Sequence, residues 1–120
     1  MELKILRQPF SVCRVEDLTD IGGEYFFTAR TPEENSLICP TASVPANTTA
    51  REDHWRGFFI AGALDFSLIG VLAKISTVLA QEKIGIVAVS TYNTDYVFVK
   101  ENNFSRALSA LEKSGYTVWD

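Results

Sequence analysis

The sequence predicts an α+β fold: a split βαβ sandwich with both helices on one face of a four-stranded antiparallel sheet. Two observations in residues 53–120 predict it. The hydrophobic period changes from two to 3.6 and back, twice over. The segments so marked follow in the order strand, helix, strand, strand, helix, strand, which is the ferredoxin-like order.

Each element has its own signal. Residues 55–60, Trp-Arg-Gly-Phe-Phe-Ile, are aromatic-rich and read as a strand. Over residues 67–81, Leu68, Val71, Leu72, Ile75, Val78 and Leu79 recur at helical spacing, with Gly70, Lys74, Thr77 and Gln81 on the opposite face. Residues 84–92 are β-branched and continuous, Asn93-Thr94 is a turn pair, and residues 96–99 alternate, so a hairpin is expected. Asn102 or Asn103 is a candidate cap for a second helix striped by Phe104, Ala107, Leu108 and Leu111. Lys113 and Gly115 mark that helix's end, and residues 116–119 form the last strand. Right-handed crossovers place residues 55–60 and 96–99 in mid-sheet and residues 86–92 at an edge.

The first half reads as a degenerate copy. Strands are expected at residues 10–15, 25–28 and 36–39, with at most a helical turn at 16–20 and another turn at 41–44. Pro40, Pro45 and many small polar residues make 41–53 a crossover loop and argue against a helix there. The expected division is a lobe of residues 1–52 and a domain of residues 53–120.

Composition narrows the function. The 120 residues are 47 % hydrophobic with a formal net charge of -4. That length supports one ordinary core, no apolar run is long enough to span a bilayer, and the N-terminus has no signal-peptide pattern. A cytoplasmic protein with no membrane partner is expected. The acidic balance disfavours nucleic acid, which requires a clustered positive field. Cys13 and Cys39, each in a short apolar segment, read as small core residues. No Cys/His cluster has metal-ligand spacing, and Gly22-Gly23 lacks the setting of a phosphate loop, so neither metal nor cofactor is expected. His54 has no cysteine or serine in a nucleophile setting, which argues against an enzyme. Glu16-Asp17 and Glu33-Glu34 read as solvated pairs.

The runs Leu64-Asp65-Phe66-Ser67-Leu68-Ile69-Gly70-Val71-Leu72-Ala73-Lys74-Ile75 and Gly85-Ile86-Val87-Ala88-Val89-Ser90-Thr91-Tyr92-Asn93-Thr94-Asp95-Tyr96 resemble the ACT domains, small regulatory modules that bind amino acids. The segments Asp65 to Gly70 and Ser90 to Tyr96 are similar to a narrower group, short proteins with two ACT-like lobes related to the lobes of cytosolic arginine sensors. Many members carry an Asp two or three residues before the helix-starting Gly, whereas Asp65 stands five before Gly70.

The resemblance implies a non-catalytic module whose ligand is a free amino acid or similar metabolite held between the first strand and first helix. Asp65, Phe66, Ser67, Leu68, Ile69 and Gly70 are the candidate residues. The first N–H groups of the helix favour an anion, Asp65 can accept an ammonium, and Gly70 exposes backbone. The same residues also suit a plain helix start, with Ser67 as cap and Asp65 complementing the dipole. Thr91, Tyr92, Asn93, Thr94 and Asp95 form a second candidate wall, although Asn and Asp are common in turns for local reasons. The alternative function is an ACT-like interaction or oligomerisation domain without a ligand. RNA binding ranks third: Tyr96 and Phe98 alternate as stacking residues would, but Asp95 stands where a basic residue would help. The apolar edge 86–92 predicts a homo-oligomer, and a regulated enzyme is the other expected partner.

Overall fold

The computed structural model describes residues 1–62 and 69–120. Among them are β1 (Glu2–Ile5), β2 (Phe10–Val15), β3 (Phe27–Arg30), β4 (Asn35–Pro40), β5 (Thr48–Ile60), α1 (Val71–Gln81), β6 (Val87–Ser90), β7 (Asp95–Lys100), α2 (Glu101–Lys113) and β8 (Thr117–Trp119). The chain divides into two compact units, residues 8–55 and residues 1–7 with 56–120. Strand β5 supplies residues to both.

In the unit of residues 8–55 the strand order is β3-β4-β2-β5, antiparallel throughout. Counted along the chain that is 2-3-1-4, the ferredoxin-like order, so the degenerate copy keeps its topology while losing its helices. One helix is reduced to a bend at Asp17, whose carboxylate accepts the N–H and hydroxyl of Thr19. The other is a single 3-10 turn, Thr41–Ser43. Cys13, Val15, Leu37 and Cys39 form the core, with Leu18, Ile21 and Val44 packed on it. Both cysteines are buried and free, and burial pushes their thiols up, that of Cys39 to about 11.

The expected crossover loop at 41–53 is corrected in its second half, since β5 begins at Thr48. Its early residues, Thr-Thr-Ala-Arg-Glu, are mostly exposed, so no alternation betrays the strand. Partners Phe10↔Trp55 and Val12↔Glu52 leave Asp53 and His54 opposite Ser11, a bulge in which His54 has φ 71°. The buried Ser11 hydroxyl donates to the Asp53 carboxylate at 2.5 Å.

In the other unit β7 pairs with β5 and β6, and β5 with β1, which places β5 and β7 inside the sheet as expected. Strand β1 runs antiparallel to β5 (Leu3↔Ile60) and parallel to β8 (Leu3↔Val118). It occupies the position beside β5 that β8 takes in a simple ferredoxin-like sheet, and it groups by contacts with residues 56–120. Ile75 and Leu79 of α1 and Phe104, Ala107 and Leu111 of α2 are buried with Leu3, Phe58, Ile60, Val97 and Val99. The 3.6-residue stripes therefore face the sheet, where a large apolar side chain contributes roughly 1.5–3 kcal/mol.

Strand β3 lies at Phe27–Arg30 rather than 25–28, and three boundaries in residues 56–120 also differ from expectation. The helix expected over 67–81 starts at Val71, because Gly70 is left-handed, with φ 79°. No side chain caps α2; Lys100, the end of β7, leads straight into it, so Asn102 and Asn103 lie within the helix. Strand β6 has four residues rather than the expected 84–92, since the N–H of Ile84 closes the end of α1 by donating to Leu79 O at 3.0 Å.

Candidate ligand site at the start of the first helix

The start of α1 is an unfinished hydrogen-bond ladder. The Lys74 N–H donates to Gly70 O at 2.9 Å, so the N–H groups of Val71, Leu72 and Ala73 have no partner inside the helix. A Cβ on Gly70 would meet nothing within 4 Å. Its positive φ, which only glycine adopts readily, turns the chain into the helix.

This helix end opens onto a cavity of about 210 Å³. Residues 69–71 and Lys74 line one side, residues 114–116 the other, and Met1 a third. The second wall is the end of α2. Gly115, with φ 104°, donates to Glu112 O at 3.0 Å and Tyr116 donates to Leu111 O at 3.1 Å, the paired bonds of a Schellman turn. The turn brings Tyr116 back under the helices, where it is 7 % exposed. Burial pushes its phenol up, so the hydroxyl keeps its proton near neutral pH. The Lys74 ammonium stands 5.7 Å from the centre of the Tyr116 ring.

Among the described residues that line the cavity the electrostatics are one-sided. Lys74 is a full positive charge and the α1 start adds about half of one. None of the described lining residues has an acidic side chain. Chemically the cavity can hold an anionic group of a small molecule.

Of the residues expected to bind, Ile69 and Gly70 line this cavity; Asp65, Phe66, Ser67 and Leu68 lie outside the described residues. Of the residues whose N–H groups lack a partner inside α1, Val71 lines the cavity. Thr91, Tyr92, Asn93, Thr94 and Asp95 do not line the cavity. They form a turn in which Thr91 N–H donates to Thr94 O at 2.8 Å. Buried Thr94 donates its hydroxyl to Ile60 O at 2.7 Å, fixing the turn beside the end of β5. Tyr92 is 81 % exposed at its tip.

Sequence reasoning did not select Lys74, Ser114, Gly115 or Tyr116 for the site. Lys74 read as one of several polar residues on the solvent face of α1, and Gly115 read as a helix stop. One available signal was Lys74's place three residues after Val71, one turn into the helix. The meeting of the two helix ends has no local signal.

The sequence profile of the ACT domain matches residues 50–113, just over half the chain. The chain belongs to the ACT-domain family. Among curated proteins none matches it in sequence. Solved structures that share the ACT fold with it include a protein from Agrobacterium tumefaciens, 24 % identical, with a TM-score of 0.87, covering 98 % of this chain and 91 % of that one. A protein of unknown function from Vibrio cholerae, described as a possible transport protein, is 19 % identical with a TM-score of 0.69, covering 91 % and 85 %. The regulatory subunit of aspartate kinase from Thermus thermophilus, in a ligand-free form, is 12 % identical with a TM-score of 0.61, covering 90 % and 93 %.

Proposed function

We propose that this ACT-domain protein is a non-catalytic regulatory module of the cytoplasm that binds a free amino acid or similar small metabolite and passes its presence to a partner enzyme. The observation that carries the reading is the cavity at the start of α1, where Gly70, Val71 and Lys74 line a space of metabolite size at a helix end whose first N–H groups have no partner inside the helix. Family membership and likeness to a kinase regulatory subunit support a regulatory role. Asp65 to Leu68, next in sequence to the cavity wall, complete the site in this reading, and Asp65 takes the ligand's ammonium. In this reading β6, which pairs only with β7 among the described strands, joins a second copy edge to edge.

Thermal melts with the common amino acids and 2-oxo acids test this. A ligand at about 100 times its dissociation constant adds about 2.7 kcal/mol, a rise of roughly 8–15 °C at this size. We expect at least one α-amino acid to produce it, its carboxamide to lose most of it, and Lys74→Met and Asp65→Ala each to weaken it. A flat screen, with refolded protein melting where untreated protein does, would sink the sensor reading. Light scattering that gives a monomer at tens of micromolar protein would remove the edge-paired dimer. The second reading, a protein-interaction domain without a ligand, is favoured by the exposed apolar Ile69 (92 %) and by Tyr92; it is the outcome that a flat screen supports.

A further inference from the structure

The chain's two thiols meet in the core of the unit formed by residues 8–55. Strand partners Ser11↔Cys39 and Cys13↔Leu37 make Cys13 and Cys39 diagonal neighbours on one face of β2 and β4, and they are 4 % and 1 % exposed. The two lie on different strands, so no sequence spacing marks them as ligands. Each shifts the proton affinity of the other, and Arg51, the partner of Cys13 on β5, favours both thiolates. An ion pair with Asp53 at 3.0 Å engages Arg51, and the Ser11 hydroxyl holds Asp53 in turn. The side chains packed on this core are few. Leu18, Ile21 and Val44 come from the bend and from beside the 3-10 turn, where a full copy of the fold would carry helices.

Separation decides what the pair can do. Diagonal neighbours in an antiparallel ladder stand about 7–8 Å apart, past the roughly 4.4–6.8 Å between the Cα atoms of a disulfide. A cation between the sulfurs replaces one bond of ~2.05 Å by two of about 2.3 Å, which makes up the difference. Zinc takes four ligands, and among the described residues no group of three or more His, Cys, Asp or Glu could hold a metal ion. Two thiolates alone suit a soft cation of low coordination number. We propose that Cys13 and Cys39 form a two-thiolate site for a soft monovalent cation with the chemistry of copper(I), with Arg51 as its counter-charge. Each thiol gives its proton to solvent as its bond to the metal forms, two protons for one cation, and nothing is oxidised or reduced. The site gains one net negative charge, which the Arg51 guanidinium offsets. Entry requires only local opening of the Leu18, Ile21 and Val44 cover.

Titration of the reduced full chain with copper(I) and with silver(I), without oxygen, tests this. Native mass spectrometry should count one ion per chain, and the melting temperature should rise by roughly 5 °C or more at saturation. Zinc(II) should leave the melting temperature unchanged. Cys13→Ala and Cys39→Ala should each weaken binding more than about a hundred-fold, beyond what losing a supporting partner costs; Cys39→Val, closer in volume, serves if the alanine variant folds poorly. Arg51→Gln, at an exposed position, should weaken binding about ten-fold and leave the count at one ion. No bound ion, binding that survives either cysteine substitution, or zinc bound as tightly as copper overturns the two-thiolate site. An intramolecular disulfide that forms in the folded chain on treatment with a small disulfide oxidant, with no loss of stability, also overturns it, because the sulfurs would then meet directly. None of these outcomes bears on the amino-acid reading, whose cavity lies in the other unit.

Discussion

A single methyl group at Gly57 would be felt strongly. A Cβ there would stand 2.6 Å and 2.7 Å from two ring atoms of Phe98 and 3.3 Å from Val97 O. Phe98 is fully buried, so its ring has little freedom to move away. Gly57→Ala should therefore cost about 1–3 kcal/mol, seen as a lower midpoint in urea with unchanged slope. A variant as stable as the parent would show that the ring can move. Asp17 and Asp53 carry a different kind of information. Hydrogen bonds from Thr19 hold the Asp17 carboxyl below its ordinary value, and bonds from Ser11 and Arg51 do so for Asp53. Each group binds its proton more weakly folded than unfolded, so its contribution is present above about pH 4 and is lost as pH falls through the lowered folded value. Unfolding midpoints measured from pH 6 to pH 2 should fall on the acid side, and Asp17→Asn with Asp53→Asn should flatten that fall. An unchanged acid limb in the double variant would assign it to other carboxylates.

Both helices end in the same motif with different residues at the left-handed position. In α2 it is Gly115; in α1 it is Lys83, with φ 59°, whose N–H donates to Ala80 O at 2.9 Å. The left-handed conformation costs a residue with a Cβ roughly 1–2 kcal/mol, and glycine little. Lys83→Gly should stabilise the protein by up to about 1 kcal/mol, while Gly115→Ala should destabilise it by about 1 kcal/mol. Opposite shifts in melting temperature check the pair; shifts of the same sign would mean that something besides the backbone decides. The Gly115 stop was legible because glycine and a preceding lysine mark helix ends. Lys83 was not, since a lysine in that conformation looks like any other surface lysine. The start of α1 was misplaced for a related reason: the apolar period runs through Gly70 without a break, and only the backbone angle shows that the helix begins after it.

Across the whole molecule the most consequential element is β1. Leu3 is fully buried, and β1 pairs with β5 on one side and β8 on the other. The family profile begins at residue 50, yet a fragment of residues 53–120 would lack this inner strand and leave two sheet edges open. We expect that fragment to lose cooperative melting by circular dichroism, whereas a sharp transition would show that β1 is dispensable. Sequence alone determined the type and order of the elements from residue 55 onward, the core stripes of both helices, the hairpin turn and the family, because hydrophobic period and turn chemistry are written in neighbouring residues. Tertiary structure decided the insertion of β1 between β5 and β8, the extension of β5 back to Thr48, and the facing of the α1 start by the α2 end that makes the cavity. Strand neighbours and facing helix ends are contacts between residues far apart in the chain. A strand with either neighbour carries the same local pattern, so no window of sequence distinguishes them.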